Sequence, residues 1–176
     1  RGLHSFSIVG LPDKAVEESR DRVSAAVKNS GFKSPKNKNQ KVVVSLAPAD
    51  LKKEGPLFDL GIALAYLLAA GDIVFNPKKK LFIGELSLDG DVRRVSGVLP
   101  LAMEAKRRGF EELYVPAENA REAALVEGIA VYPVLTLEEV VEHLSPGEIE
   151  CPITRQKRTA IEYREQEPSV DFADIK

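Results

Sequence analysis

Residues 81–95, LFIGELSLDGDVRRV, decide the fold class. The run 81–88 reads as a strand, Asp89-Gly90 follows, and 91–95 reads as a second strand. Asp-Gly between two such runs is the preferred two-residue hairpin turn, because both central positions need positive φ. A hairpin makes part of the sheet antiparallel, which excludes a purely parallel doubly wound fold. Glu85 and Asp89 lie four apart and are expected to share a strand face. Glu85, beside Gly84, reads as a partly buried structural carboxylate.

Working outward, strands are expected near 4–9, 41–46, 112–115 and 129–134, and helices over 13–30, 59–70, 99–108, 119–127 and 137–144. Asp13 caps the first helix, Glu18 and Arg22 stand at i,i+4 on it, and Gly31 stops it. The run LGIALAYLLAA (60–70) is apolar on every side and reads as a buried helix. Pro100 suits the first turn of the next helix. Asn119 is placed to cap the fourth, and Thr136 with Glu139 has capping-box spacing at the fifth. Beyond Leu144 the apolar period stops, and Pro146, Pro152 and Pro168 mark a linker. The ending DFADIK (171–176) regains apolar residues, as the start of another domain would.

A chain of 176 residues with 44% hydrophobic and 30% charged residues suffices for one folded domain. The single Cys151 excludes a disulfide framework, and with only His4 and His143 beside it there is no multi-thiolate or multi-histidine metal site. No apolar run reaches the ~18 residues of a membrane span. Arg1 opens the chain with no initiator Met and no signal peptide, so a reducing, cytoplasmic setting and a fragment of a longer protein are expected. None of the twelve glycines precedes a lysine, so no P-loop is present.

The net charge of −2 hides an asymmetry. Residues 1–109 hold nineteen Lys/Arg and twelve Asp/Glu, whereas 110–150 hold ten Glu and one Arg. The basic clusters include Lys36, Lys38 and Lys41, then Lys52 and Lys53, then Lys78, Lys79 and Lys80, then Arg93 and Arg94, and Lys106 to Arg108. Such runs are ordinary solvated faces or a surface that meets nucleic acid or an acidic neighbour. With no Trp and 6% aromatics, DNA contact would go to backbone phosphates rather than stacked bases.

Several blocks then occur in order. They are VGLPD (9–13), ESRDRV (18–23), NSGF (29–32), LAPADLKKEG (46–55) with FDL (58–60), GELSLDG (84–90), GVLP (97–100) and VPAEN (115–119). Together they closely resemble the N-terminal domain of the ComM/YifB family of magnesium-chelatase-like proteins, over about residues 2–145. The resemblance implies a domain at 1–145, a linker at 146–170, and the lead-in to an AAA+ ATPase module at 171–176. It implies that ATP and Mg2+ belong to that module. It also implies a hexameric, ATP-driven DNA branch-migration machine acting in natural transformation. The chelatase label does not by itself imply metal insertion into porphyrins.

The stretch 53–143 also resembles the Lon protease domain and the C-terminal domain of the repair ATPase RadA. This implies the ribosomal protein S5 domain 2-like α/β sandwich with a mixed sheet. Lon's catalytic serine follows a Gly-Pro pair, and here Gly55-Pro56 is followed by Leu57. Lon's lysine follows two residues after a Gly-Gly pair, and here the matching position is Leu99. Neither leucine can be a nucleophile or a base, so the resemblance implies the fold without the dyad. Ser96 and Lys53 lie nearby in sequence without the Lon spacing. Two main readings result: a non-catalytic DNA-contact and assembly domain, and a pure scaffold in which the basic block of one subunit faces the Glu-rich block of the next. A chelatase accessory domain and a residual peptidase are the lesser readings. The DNA-contact candidates are Lys36, Lys38, Lys41, Lys52, Lys53, Lys78, Lys79, Lys80, Arg93 and Arg94.

Overall fold

A computed structural model of the chain describes residues 5–35, 40–145 and 152–160. Its elements are β1 (Ser5–Val9), α1 (Lys14–Asn29), β2 (Lys41–Ser45), α2 (Asp59–Ala70), β3 (Lys80–Phe82), β4 (Glu85–Leu86), β5 (Val92–Arg93), α3 (Val98–Arg107), β6 (Glu112–Pro116), α4 (Ala120–Ala123), β7 (Ala130–Val134) and α5 (Leu137–Leu144). β1 pairs parallel with β2, β3-β6-β7 form a parallel three-stranded sheet, and β4 pairs antiparallel with β5. The α/β class with both kinds of pairing is therefore present. Separate small sheets carry the two kinds.

Side-chain alternation makes β6 the centre of the sandwich. Leu113 and Val115 join the apolar cluster of α3 and α4. Tyr114, between them, joins the cluster of α1, α2 and α5. Both faces of the strand are covered, as an α/β parallel sheet requires. α1 begins as expected, with Asp13 Oδ1 accepting from Val16 N at 2.8 Å. At α5, Thr136 Oγ1 accepts from Glu139 N at 3.1 Å, but the Glu139 carboxylate reaches back to Leu135 N at 2.8 Å rather than to the cap residue.

The run 81–88 is not one strand. Gly84 N donates to Leu57 O at 3.0 Å and Gly84 O accepts from Leu60 N at 3.1 Å. The start of α2 thus interrupts the chain between its parallel partner β6 and its antiparallel partner β5. The turn also differs from the two-residue form. Glu85 pairs with Arg93 and Leu86 with Val92. Ser87 N donates to Asp91 O at 2.9 Å, and Gly90 N to Ser87 O at 3.2 Å. Only Gly90 has positive φ, at +98°. This is a three-residue loop closed by a glycine bulge. The Ser87 hydroxyl steadies it by accepting from Asp91 N at 3.0 Å. Asp89 sits in that loop and shares no strand face with Glu85.

The fourth helix is only Ala120–Ala123, after a short 3-10 turn at Ala117–Asn119. Asn119 does not cap it. Its buried amide brackets Val95 instead, Oδ1 accepting from Val95 N at 3.0 Å and Nδ2 donating to Val95 O at 2.9 Å.

Residues 152–160, expected to be linker, are fastened to the domain. Gln156 N donates to Val131 O at 2.8 Å, and Thr159 N to Ala124 O at 3.1 Å. Ile153 is buried, and its N–H donates to His143 Nδ1 at 2.9 Å. The physical reason is that β7 is a sheet edge, and its carbonyls need donors. The remaining linker residues, 146–151 and 161–170, and the lead-in at 171–176 lie outside the described residues.

The Ile153 bond requires an unprotonated Nδ1. Burial holds the His143 ring below the ordinary 6.5, Lys80 acts in the same direction, and Glu112 and Glu139 oppose. A histidine depressed in the folded state contributes stability that is complete above pH ~6.5 and falls as the pH drops through its folded value. The urea midpoint should therefore fall between pH 7.5 and 5.5. In His143→Gln that fall should disappear. An equal slope in the variant would assign the effect to other groups.

Candidate functional site

The Lon-type positions sit beside an open groove of about 390 Å3 lined by Glu54, Gly55, Pro56, Leu57, Glu85, Arg94, Val95 and Ser96. Leu57 is half-buried and packs against the α3/α4 cluster. Leu99 lies in the first turn of α3, where its backbone N donates to Glu122 Oε1 at 3.1 Å. Ser96 is exposed at the groove. Lys53 is not directed to it: the Lys53 ammonium donates to Leu51 O at 2.7 Å and to Pro48 O. The groove residues named above include no nucleophile with a base bonded to it.

Inside the domain lies a charged group that the sequence reading passed over. Asp59, at the start of α2, is completely buried. Its carboxylate accepts from Arg22 Nε at 2.6 Å, from Arg22 Nη2 at 3.2 Å, from Leu86 N at 3.1 Å and from the Ser19 hydroxyl. Bonding to Asp59 raises the Arg22 guanidinium further still. Glu18, the expected helical partner of Arg22, stands farther off at 3.9 Å. A lone acid opening an all-apolar helix was the available signal, since such an acid has to find a cation inside. Glu85 is half-buried near this pair and acts on Arg22 through space.

The basic residues divide into spent and free cations. Lys53 is 8% exposed and its ammonium is satisfied by carbonyls, so it is withdrawn from any DNA-facing surface. Lys52 pairs with Glu54 at 2.8 Å, Lys79 with Glu111, and Lys80 with Glu112 across the β3–β6 register. Arg107 and Arg108 both reach Glu104 at 2.6 Å and hold its carboxyl down to about 2. Lys106 donates to Gly128 O at 2.8 Å. Lys41, Lys78, Arg93 and Arg94 are exposed, and none of them makes an ion pair with another described residue. Lys36 and Lys38 lie outside the described residues.

The aromatics of the parallel sheet are used internally. Phe82, Tyr114 and Tyr132 occupy one register row of the parallel sheet and stack with centroids 4.9 and 4.8 Å apart. Tyr114 is 1% exposed and donates to Glu112 Oε2 at 2.7 Å. Among the described residues no three His, Cys, Asp or Glu side chains converge as metal ligands. No described helix is long and apolar enough to cross a membrane.

Residues 1–119 match the family described as "Subunit ChlI of Mg-chelatase". The chain is 38% identical to competence protein ComM of Haemophilus influenzae over 99% of its own length, which is 34% of that protein. It is 40% identical to the uncharacterized protein YifB of Escherichia coli over 73% of the chain and 25% of the relative. It is 35% identical to DNA repair protein RadA of Streptococcus pneumoniae over 52% of the chain and 22% of the relative. The chain thus spans no more than about a third of these relatives. A profile match over more than half the chain, on an α/β domain of this architecture, places the chain in the Mg-chelatase ChlI family, with ComM and YifB as its kin.

Proposed function

We propose that this domain is the non-catalytic, DNA-contacting N-terminal part of a longer ComM-like AAA+ ATPase. The whole protein would assemble as a hexamer and move branched DNA at the expense of ATP during recombination. ATP and Mg2+ would bind in the remainder of the protein. Kinship to a competence protein and to a DNA repair protein supports a DNA-related role. The observation that carries the reading is that four of the candidate cations, Lys41, Lys78, Arg93 and Arg94, stand exposed with no ion pair to another described residue, while neighbouring lysines are neutralised. Such cations contact phosphates without reading sequence.

Fluorescence anisotropy of single-stranded, duplex and branched DNA at two salt concentrations tests this. Binding should weaken steeply with salt. Neutralising Arg93, Arg94 and Lys78 to Gln should lower affinity about tenfold or more at moderate salt. Each lost contact should reduce the log–log salt slope by ~0.7 on single strands. Lys79→Gln, which removes an already paired charge, should do much less. No binding at low salt would assign the DNA contacts to the rest of the protein and leave the domain as a scaffold. The purely electrostatic scaffold has less support. Lys79–Glu111 and Lys80–Glu112 consume part of the basic–acidic complementarity inside one chain.

A further inference from the structure

Residues 154–158, TRQKR, carry three cations and no acid. In a free linker they would be dispersed in water. The fold ties them down instead: Gln156 N is bonded to Val131 O, the Thr159 hydroxyl donates to Arg121 O at 2.7 Å, and Ile153 is buried. This strap borders an open cleft of about 180 Å3, whose lining includes Glu127, Gly128 and Ile129 of the turn before β7 and Arg155, Gln156 and Arg158 of the strap. The end of α3 reaches the same turn, where the Lys106 ammonium donates to Gly128 O at 2.8 Å. Lys106, Arg107 and Arg108 are thus joined through Gly128 to Arg155, Lys157 and Arg158. The acids that these six cations contact are two. Glu104 serves both Arg107 and Arg108, and Glu127 pairs with Arg158. Gly128 O carries no formal charge, so Lys106 keeps its own, and Arg155 and Lys157 are exposed with no ion pair to another described residue.

The cations of α3 need no ligand to explain them, because a helix C-terminus attracts positive charge. The strap differs. Backbone bonds, the Thr159 hydroxyl and Ile153 hold it in place, and neither Arg155 nor Lys157 takes part. The cleft beside Arg155 is smaller than the ~300 Å3 at which pockets for whole small molecules begin. It admits a charged group on a larger body rather than a free organic molecule. Guanidiniums suit phosphate oxygens, which they grip through charge-assisted bonds. A surplus of cations fixed on a folded surface is what a phosphate backbone binds. From this arrangement we infer that the strap, the Gly128 turn and the end of α3 form a second phosphate-binding surface for a nucleic-acid strand. Arg155 and Lys157 make its contacts, and docking of the strap on the edge of β7 places them. The inference rests on the reading that this domain contacts DNA. It adds to that reading a surface made of none of Lys41, Lys78, Arg93 and Arg94.

Anisotropy titrations with single-stranded DNA compare the unchanged chain with Arg155→Gln/Lys157→Gln and with Ile153→Gln, each checked for folding by circular dichroism. The double variant should bind about fivefold more weakly at moderate salt and lower the log–log salt slope by ~1.4, or ~0.7 per contact. Ile153→Gln keeps every cation but unseats the strap. It should weaken binding about threefold, and trypsin should cut after Arg155 and Lys157 about tenfold faster than in the unchanged chain, because cleavage follows the population of the open form. Bound DNA should slow that cleavage in the unchanged chain. Inorganic phosphate, at an ionic strength matched with chloride, should displace no more DNA than chloride does. Unchanged affinity and slope in the double variant, beside weak binding by the Arg93, Arg94 and Lys78 variant, would overturn this surface and leave the DNA reading standing. No binding by the unchanged chain at low salt would overturn both. Full affinity in a folded Ile153→Gln with its strap released would show that docking places nothing. A double variant that changes only self-association would assign the strap to an acidic neighbour, and displacement by phosphate beyond chloride would assign the cleft to a free anion. Each of these three results also overturns the inference.

Discussion

Replacing Asp59 by alanine should cost the domain about 3–5 kcal/mol, the usual penalty for removing one partner of a buried ion pair. Total stabilities are ~5–15 kcal/mol, so this change alone brings the fold near its limit. Asp59 has no exposure and satisfies Arg22, Ser19 and the backbone N–H of Leu86 together. Without it the Leu86 amide and the guanidinium Nε lose their acceptor, and the guanidinium keeps only its Nη2 bonds to Ala15 O and the Ser19 hydroxyl. Urea denaturation should show the midpoint falling by roughly 2 M at a slope of ~2 kcal/mol per molar. The double variant Arg22→Leu with Asp59→Leu should recover much of the loss, because an apolar pair of similar volume removes the stranded charge. The Leu86 N–H would still lack its acceptor, so recovery should be incomplete. A loss under ~1 kcal/mol for Asp59→Ala would mean that water replaces the carboxylate, and that the tie between α1, α2 and β4 is made elsewhere.

Gly10→Ala should be nearly as damaging. Gly10 has φ +107°, and a Cβ there would stand 2.0 Å from the carbonyl oxygen of Leu46. That carbonyl cannot retreat cheaply, since Leu46 N is bonded to Val9 O at 2.9 Å. Backbone strain of ~1–3 kcal/mol and a clash of ~1–3 kcal/mol together give about 3 kcal/mol or more. Gly31→Ala is the control. Gly31 also has positive φ, +83°, but a Cβ there meets nothing within 4 Å. Its cost should be only the ~1–2 kcal/mol of a left-handed alanine. Thermal melts of the two variants, run side by side, separate crowding from conformation. Equal losses would mean that Leu46 moves aside.

Much of the fold was legible locally. Helices α1, α2, α3 and α5 begin and end within about a residue of their expected limits, because apolar period, caps and terminal glycines all act within one or two turns. The misreadings came from long-range partners. The strand expected at 81–88 breaks because Leu57, just before α2, and Leu60, in its first turn, take the hydrogen bonds of Gly84. The helix expected at 119–127 is short, and its expected cap Asn119 turns inward to bind Val95. The linker expected from its prolines is partly bound because the edge of β7 offers it an acceptor at Val131.

The candidate site divides in the same way. Sequence alone determined that Leu57 and Leu99 stand where the Lon resemblance would require a nucleophile and a base, since a side chain's chemistry does not depend on its neighbours. It also located every cation in the basic clusters. Which cations remain available was decided only by tertiary structure. Lys53 is buried against carbonyls, Lys79 and Lys80 are paired across strands, and Arg93 and Arg94 remain in water. An ammonium's availability depends on whether an acid thirty residues away arrives beside it. Composition and period are local properties, whereas ion pairing, burial and crowding belong to the packed chain. Gly10 and Gly31 are the same residue in sequence, and they differ only by the carbonyl that approaches one of them.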